Sequence, residues 1–464
     1  MMTKWLRRAM LAGTAMAGCA SAPAMAQPTD REAALERRLG ELEAALADLR
    51  GQLSALRAGN AAPQASAAAA APVAVATAGV APPAAPPAPA PAAPRDGFSV
   101  AGTTVKIGGF VKAVAAFSRY DDGPMPAGST GRDFYVPGTT PVGGRADRSF
   151  EANAKQTRLA ISTATPLRDH ELKGLVEVDF QVSPGTGNQR ITNAYNPGLR
   201  RAFFTFDDAL IGQEWSNFQY VSALPETTDF LGPSEGTVFV RQAQFRYAFR
   251  LARGLTLAIA AENPATTVLA AGGSSAMVEY DQDRVPDLTA RLNLAAGPAE
   301  LSLAGLARQL TADGAGGVDH AFAWGVSAAG KIGFGPARRH DIRFMLSHGQ
   351  GIGRYVGLNL APDAILGAAG LDTVGVTAGF AALRIGWTER LRSTVSGSFQ
   401  SADYPHLAIA ADANDSAWSA AANLFYSPVK QFDIGVEYRR GERRLVSGAT
   451  GQLDRIEVAG KYSF

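Results

Sequence analysis

Between residues 98 and 464 the chain repeats one pattern. Segments near ten residues alternate apolar and polar side chains and are bounded by Gly, Pro, Asp and Asn. A period of two belongs to a β-strand whose two faces meet different surroundings. In Gln431–Arg439, Phe432, Ile434, Val436 and Tyr438 oppose Asp433, Gly435, Glu437 and Arg439. In Asp454–Phe464, Ile456, Val458, Gly460, Tyr462 and Phe464 oppose Arg455, Glu457, Ala459, Lys461 and Ser463. Asp341–Ser347 and His170–Val182 repeat the pattern. No window offers the roughly 20 apolar residues of a membrane-spanning helix.

A soluble β-sandwich alternates in the same way. Here, however, the polar face is heavily charged and the apolar face continues from strand to strand. Connections also alternate in length. Short ones are Pro166–Asp169, Ala252–Gly254, Ala296–Pro298, Thr388–Glu389 and Ser427–Lys430. Long ones are Tyr120–Lys155, Ser183–Leu199, Phe218–Gly236, Pro264–Val285, Gly349–Asp372 and Gly441–Gln452. Bacterial outer-membrane barrels combine tight periplasmic turns with long extracellular loops and an even strand number. The expected fold is an all-β transmembrane β-barrel of about sixteen antiparallel strands, closed over residues 98–464. Trp387, Trp418, Tyr426, Tyr438 and Tyr462 fall on apolar faces near strand ends, as girdle aromatics do. The terminal Phe464 on an amphipathic strand resembles the signal read by the outer-membrane insertion machinery.

Three segments precede this domain. Residues 1–26 read as an export signal peptide, with Lys4, Arg7 and Arg8, then an apolar stretch, then Ala24-Met25-Ala26 as an A-x-A cleavage site. Met16-Ala17-Gly18-Cys19 offers an alternative, a lipobox with Cys19 lipidated. Residues 27–58 read as a periplasmic α-helical coiled coil. Leu35, Leu39, Leu42, Leu46, Leu49, Leu53 and Leu56 occupy every a and d position of a heptad. A single amphipathic helix is the alternative, but the stripe is narrow and an isolated helix of this length is marginal in water. Residues 59–97 are an Ala/Pro-rich spacer, extended at about 3.1 Å per residue where it is polyproline-like.

Charge and composition remove whole classes. Lys plus Arg number 44 and Asp plus Glu 42, too even for a nucleic-acid binder. Cys19 is the single cysteine, and the five histidines are His170, His320, His340, His348 and His406, so no metal site or cofactor is expected. His340 and His348 sit at opposite ends of one strand. Gly349-Gln350-Gly351-Ile352-Gly353-Arg354 resembles part of a nucleotide loop, but no helix follows and a surface loop is the better reading. With no H-E-x-x-H, no catalytic residues are assigned and no enzyme is expected.

A barrel of this size encloses water, so function rests on its inward charges. Strand parity turns Arg158, Arg201, Arg246, Arg291, Arg308, Arg343, Arg384 and Arg439 inward. It does the same for Glu177, Asp179, Glu262, Asp433 and Glu437. Arg308 is the least regular, since Leu306 shares its face. Guanidinium is permanently charged and takes carboxylates on two points. Such a ladder favours small organic anions. Its alternative is a wall of charges that pair and simply fill the lumen.

Several strings resemble the DcaP-like family of trimeric outer-membrane porins. They include Arg200-Arg201-Ala202-Phe203, Gly212-Gln213-Glu214-Trp215-Ser216-Asn217-Phe218 and Val238-Phe239-Val240-Arg241-Gln242. Pro286-Asp287-Leu288-Thr289-Ala290-Arg291 and Gly435-Val436-Glu437-Tyr438-Arg439-Arg440-Gly441 follow in order. The resemblance implies a sixteen-stranded homotrimer in the bacterial outer membrane, with channels for dicarboxylates and similar anions. It also supports Arg201, Arg246 and Arg291 as pore residues. The third long loop of trimeric porins commonly folds inward; here it carries Glu226 and Asp229, which either face the arginine wall across a constriction or form an exposed acidic turn. The expected function is a passive diffusion channel for small organic anions, with outer-membrane lipid and its own copies as partners. The alternative is a structural protein that tethers the envelope through its coiled coil, with the pore incidental.

Overall fold

The computed structural model describes residues 97–181, 195–280, 282–314 and 317–464. The expected signal peptide, the coiled coil with its leucine seam and all but the last residue of the spacer lie outside the described residues. The strands begin with β1 (Phe98–Val100), β2 (Thr103–Tyr120), β3 (Asp147–Asn153), β4 (Arg158–Leu167), β5 (His170–Asp179), β6 (Gly198–Phe206) and β7 (Ala209–Trp215). Next are β8 (Arg241–Ala252), β9 (Leu255–Glu262), β10 (Thr266–Ala270), β11 (Val278–Tyr280), β12 (Asp287–Ala296), β13 (Ala299–Gly314), β14 (Gly317–Phe334) and β15 (His340–Gln350). The rest are β16 (Ala364–Gly367), β17 (Gly370–Thr373), β18 (Gly375–Gly386), β19 (Leu391–Asp403), β20 (Asn414–Val429), β21 (Phe432–Leu445) and β22 (Thr450–Ser463).

β3 and β4 pair with the upper and lower parts of one edge of β2 and act as a single interrupted wall strand. Counted so, sixteen strands form a closed antiparallel barrel. Closure comes from β22 on β2, with Tyr462 opposite Val111 and Leu453 opposite Tyr120. The last residue completes it: Phe464 N–H donates to the Gly109 carbonyl at 3.1 Å, and Gly109 N–H returns a bond at 3.2 Å. Gly109 has φ +146°, and a Cβ there would lie 2.2 Å from the Arg158 carbonyl oxygen. Only glycine fits this crossing of three strands.

Period-two alternation becomes two faces. Outward, Phe322 is 70% and Leu303 59% exposed, together with Phe117, Phe245 and Val395. Such an apolar surface is stable where lipid replaces water. The five girdle aromatics all point outward. Tyr438 lies in mid-strand rather than at a strand end, and its hydroxyl donates to Asp454. Inward, the same strands carry Glu177, Gln244, Glu262, Asp341, Gln400 and Glu457.

Wall height is uneven. β7 has 7 residues and β9 has 8, whereas β13 has 16 and β14 has 18. About ten residues cross the apolar core of a bilayer, so the taller strands rise beyond it. This corrects two sequence expectations, uniform segments and strictly alternating loop lengths. Gly441–Gln452 is mostly strand, with only 446–449 left as a turn between β21 and β22. Above the membrane both faces of a strand are wet, so the apolar row that marks a strand is missing there.

Two long connections also gain structure. β10 and β11 lie between β9 and β12, and β16 and β17 lie between β15 and β18. Together they form a four-stranded sheet in which β10 and β16 run parallel. Val268 and Ala364 pack against Leu310 and Ala323 of the wall. The expected surface loop at Gly349–Arg354 is likewise buried, because Ile352 and Tyr355 join an apolar cluster with Phe218 and Leu306.

The candidate channel lining and its inward loop

The third long loop leaves β7 and lies along the inner wall. Its path is set by a series of bonds from strand side chains. Asn217 N–H donates to Glu262 at 2.8 Å on β9. Arg291 on β12 donates to the Gln219 carbonyl, and Arg343 on β15 to the Leu224 carbonyl. Arg392 on β19 grips the Glu226 carboxylate through Nε at 2.7 Å and Nη2 at 2.6 Å. Asn423 on β20 donates to the Glu226 carbonyl at 2.8 Å. Lys112 on β2 donates to the Thr228 carbonyl at 2.5 Å, and Thr228 N–H donates to Glu437 on β21 at 3.0 Å. The loop then turns back, with Gly236 packed against the backbone of Gly379. Near its tip, Phe230 lies under the Arg200 guanidinium, 5.2 Å from ring centroid to Cζ.

The expected pair of loop acids divides. Glu226 touches the arginine wall directly, with Arg384 Nε a further 3.5 Å from its carboxylate. Asp229 turns toward backbone donors of its own loop and of the first long loop. It accepts from Tyr135 N–H at 2.8 Å, from Leu231 N–H at 2.9 Å and from Gly232 N–H at 3.0 Å. A short acidic side chain in a turn satisfies nearby backbone donors first.

The eight inward arginines fall into two groups. Arg308 is fully enclosed between Asp287 at 3.3 Å and Asp363 at 3.0 Å. This corrects its expected place on the anion path. Leu306 shares its face because both lie beneath the folded-in connections, and no bulge is present. Arg439 is also enclosed, bonded to Glu437 and Ser419 and stacked over Tyr135. The other six reach toward the lumen. Arg158 faces Glu177 and Asp179, and Arg201 is bonded to Glu214. Arg343 is bonded to Asp341 and Arg384 lies beside it. Arg291 stands near the Tyr220 ring. Arg246 makes no hydrogen bond or ion pair among the described residues.

In the pairs made by Arg158, Arg201 and Arg343, and in that of Arg384 with Asp341, the cation is more exposed than the acid. The Arg201 side chain is 26% exposed and its partner Glu214 6%. Arg158 is 23% exposed against 4% for Asp179. Among the described residues no group of three or more His, Cys, Asp or Glu side chains is placed to hold a metal.

A family model described as DcaP outer membrane protein matches residues 98–464. The chain belongs to the DcaP outer membrane protein family. It is therefore a barrel of the bacterial outer membrane. The crystal structure of the outer-membrane channel DcaP of Acinetobacter baumannii is similar at TM-score 0.65 and 24% identity. That match covers 80% of this chain and 100% of that one. OmpT of Vibrio cholerae matches at TM-score 0.48 and 9% identity, over 79% of this chain and 99% of its own. No curated protein matches the sequence.

Three basic residues of this DcaP-family barrel escape a parity reading. Arg200 is an extra residue in β6: Glu177 pairs with Arg201 and Val178 with Leu199. The bulge turns two consecutive arginines inward, and Arg200 bonds Glu177 at 3.0 Å and Asp179 at 2.5 Å. A bulge re-aims side chains in this way, and the paired Arg200-Arg201 is its only sequence trace. Arg392 follows the tight turn into β19, where parity is hard to start. Lys112 sits in a Gly- and Ala-rich stretch whose alternation is faint.

Proposed function

We propose that this DcaP-family barrel is a passive channel that prefers small organic anions such as dicarboxylates, and that it works as a homotrimer. Arg158, Arg201, Arg246, Arg291, Arg343 and Arg384 line the path in this reading. The supporting observation is the depth order of the wall charges, with guanidinium tips in front and carboxylates behind. A passing ion meets the forward charge at short range and the rear charge through the wall, and Coulomb energy falls with distance. Arg246 adds a cation that makes no ion pair among the described residues. The forked donors suit a carboxylate better than a spherical anion.

The deciding measurement is the reversal potential of purified protein in a planar bilayer under a KCl gradient. A chloride-favouring potential with closures in threes is expected. Replacing Arg158, Arg201 and Arg246 together by Gln should lower the anion preference by about twofold or more. Unchanged selectivity in that triple variant refutes the arginine wall.

A further inference from the structure

Glu226 is bound as a substrate carboxylate would be. Its two oxygens meet Nε and Nη2 of Arg392 at 2.7 and 2.6 Å, and Arg384 stands 3.5 Å away. This is the two-point geometry in which a guanidinium takes a free carboxylate. Unlike Glu177, Asp179, Glu214 and Asp341, this carboxylate is open to water. Its side chain is 26% exposed, against 14% for Arg392. It also borders two cavities. One, of about 470 Å³, is bordered by Lys331, Arg338, Arg343 and Arg384. The other, of about 270 Å³, is bordered by Lys112, Arg158 and Lys461. Glu226 lines both.

We propose that Arg384 and Arg392 form a carboxylate-binding station, that Glu226 occupies it as a tethered competitor, and that a dicarboxylate enters by displacing Glu226. The proposal rests on the anion-channel reading and names a binding site within it. The station is built to survive the exchange. Arg392 remains held by Asp433 at 3.0 Å and Ser427 at 2.5 Å when Glu226 leaves. The loop also remains seated, since Thr228 is anchored independently by Lys112 and Glu437. The side chain therefore swings out without unfolding the loop. Displacement removes the one acid that the two cavities share. A tethered group on a short linker competes at an effective concentration of order millimolar. Succinate then binds only to the fraction of channels in which Glu226 is out, and its apparent affinity falls by that fraction.

The test reads block of KCl current by succinate, using the full-length protein in planar bilayers. Glu226→Gln should lower the half-blocking succinate concentration by about tenfold. The double variant Glu226→Gln, Arg392→Gln should lose that gain. If Glu226→Gln stays within about twofold of the parent while the parent is anion-selective, the station is refuted and the channel reading stands. If the double variant keeps the gain, the effect is bulk charge and the station is refuted again. A cation-selective parent refutes the underlying reading instead. Should Glu226→Gln fail to fold, Glu226→Asp answers the same question. One methylene shorter, it cannot hold both Arg392 nitrogens, so succinate block should strengthen; an unchanged block overturns the proposal.

Discussion

Arg308 and Arg246 have the same side chain and the same inward parity, yet their surroundings set opposite roles. Arg308 is enclosed with two carboxylates, and Tyr355 donates a further hydrogen bond to Asp287 at 2.8 Å. Removing one partner from a buried pair strands the opposite charge. Arg308→Met should therefore cost about 3–5 kcal/mol, seen as a lower denaturation midpoint, and leave ion selectivity unchanged in folded protein. Arg246 makes no hydrogen bond or ion pair among the described residues that its loss would break. Arg246→Gln should leave stability within about 0.5 kcal/mol and lower anion preference in the reversal potential. The reverse outcome would exchange the two roles. The depth order of the wall charges also begins at this scale. Arginine carries its charge on a longer arm than Asp or Glu, so from one wall it projects further into the lumen.

At the scale of elements, the inward loop and the barrel seam carry the tests. Glu235, in the 3₁₀ turn Ser234–Gly236 of the loop, is fully buried. Burial pushes its carboxyl above the ordinary carboxylate range, and Arg439 pulls the other way without prevailing. A carboxyl whose folded pKa is raised favours the folded state below its unfolded pKa. That advantage is lost as pH rises through the folded value. The loop should thus be seated more firmly in acid. Glu235→Gln should protect the loop from proteolysis at neutral pH, with the difference from the parent closing on acidification. A difference that widens in acid would contradict this. At the seam, Gly109→Val places a side chain against the Arg158 carbonyl and strains a positive-φ position. The barrel should then fail to close, read as loss of the heat-modifiable band of folded protein in gel electrophoresis.

Among the described residues, the barrel joins short strands such as β7 and β9 to taller ones such as β13 and β14, with long connections packed inside. Closure uses only strands within residues 98–464. Deleting residues 27–97 should therefore leave a folded barrel with parental single-pore conductance. Loss of closures in threes in that variant would assign assembly to the N-terminal segment. Lost envelope integrity with parental conductance would favour the tethering role.

The sequence by itself determined the barrel, its strand number and the inward side of most arginines. Each follows from a local rule, because alternate residues of a strand face opposite ways wherever the chain goes. The family strings were equally local, and the match to residues 98–464 agrees with them. Tertiary structure alone decided which inward charges meet water. Arg308 is closed off by Asp363, 55 positions away, and Glu226 meets Arg392 across 166 positions. No periodicity reports contacts at such separations. The extra residue at Arg200 and the strands rising beyond the membrane were hidden for a related reason. A bulge breaks parity, and a strand with water on both sides has no apolar row to betray it.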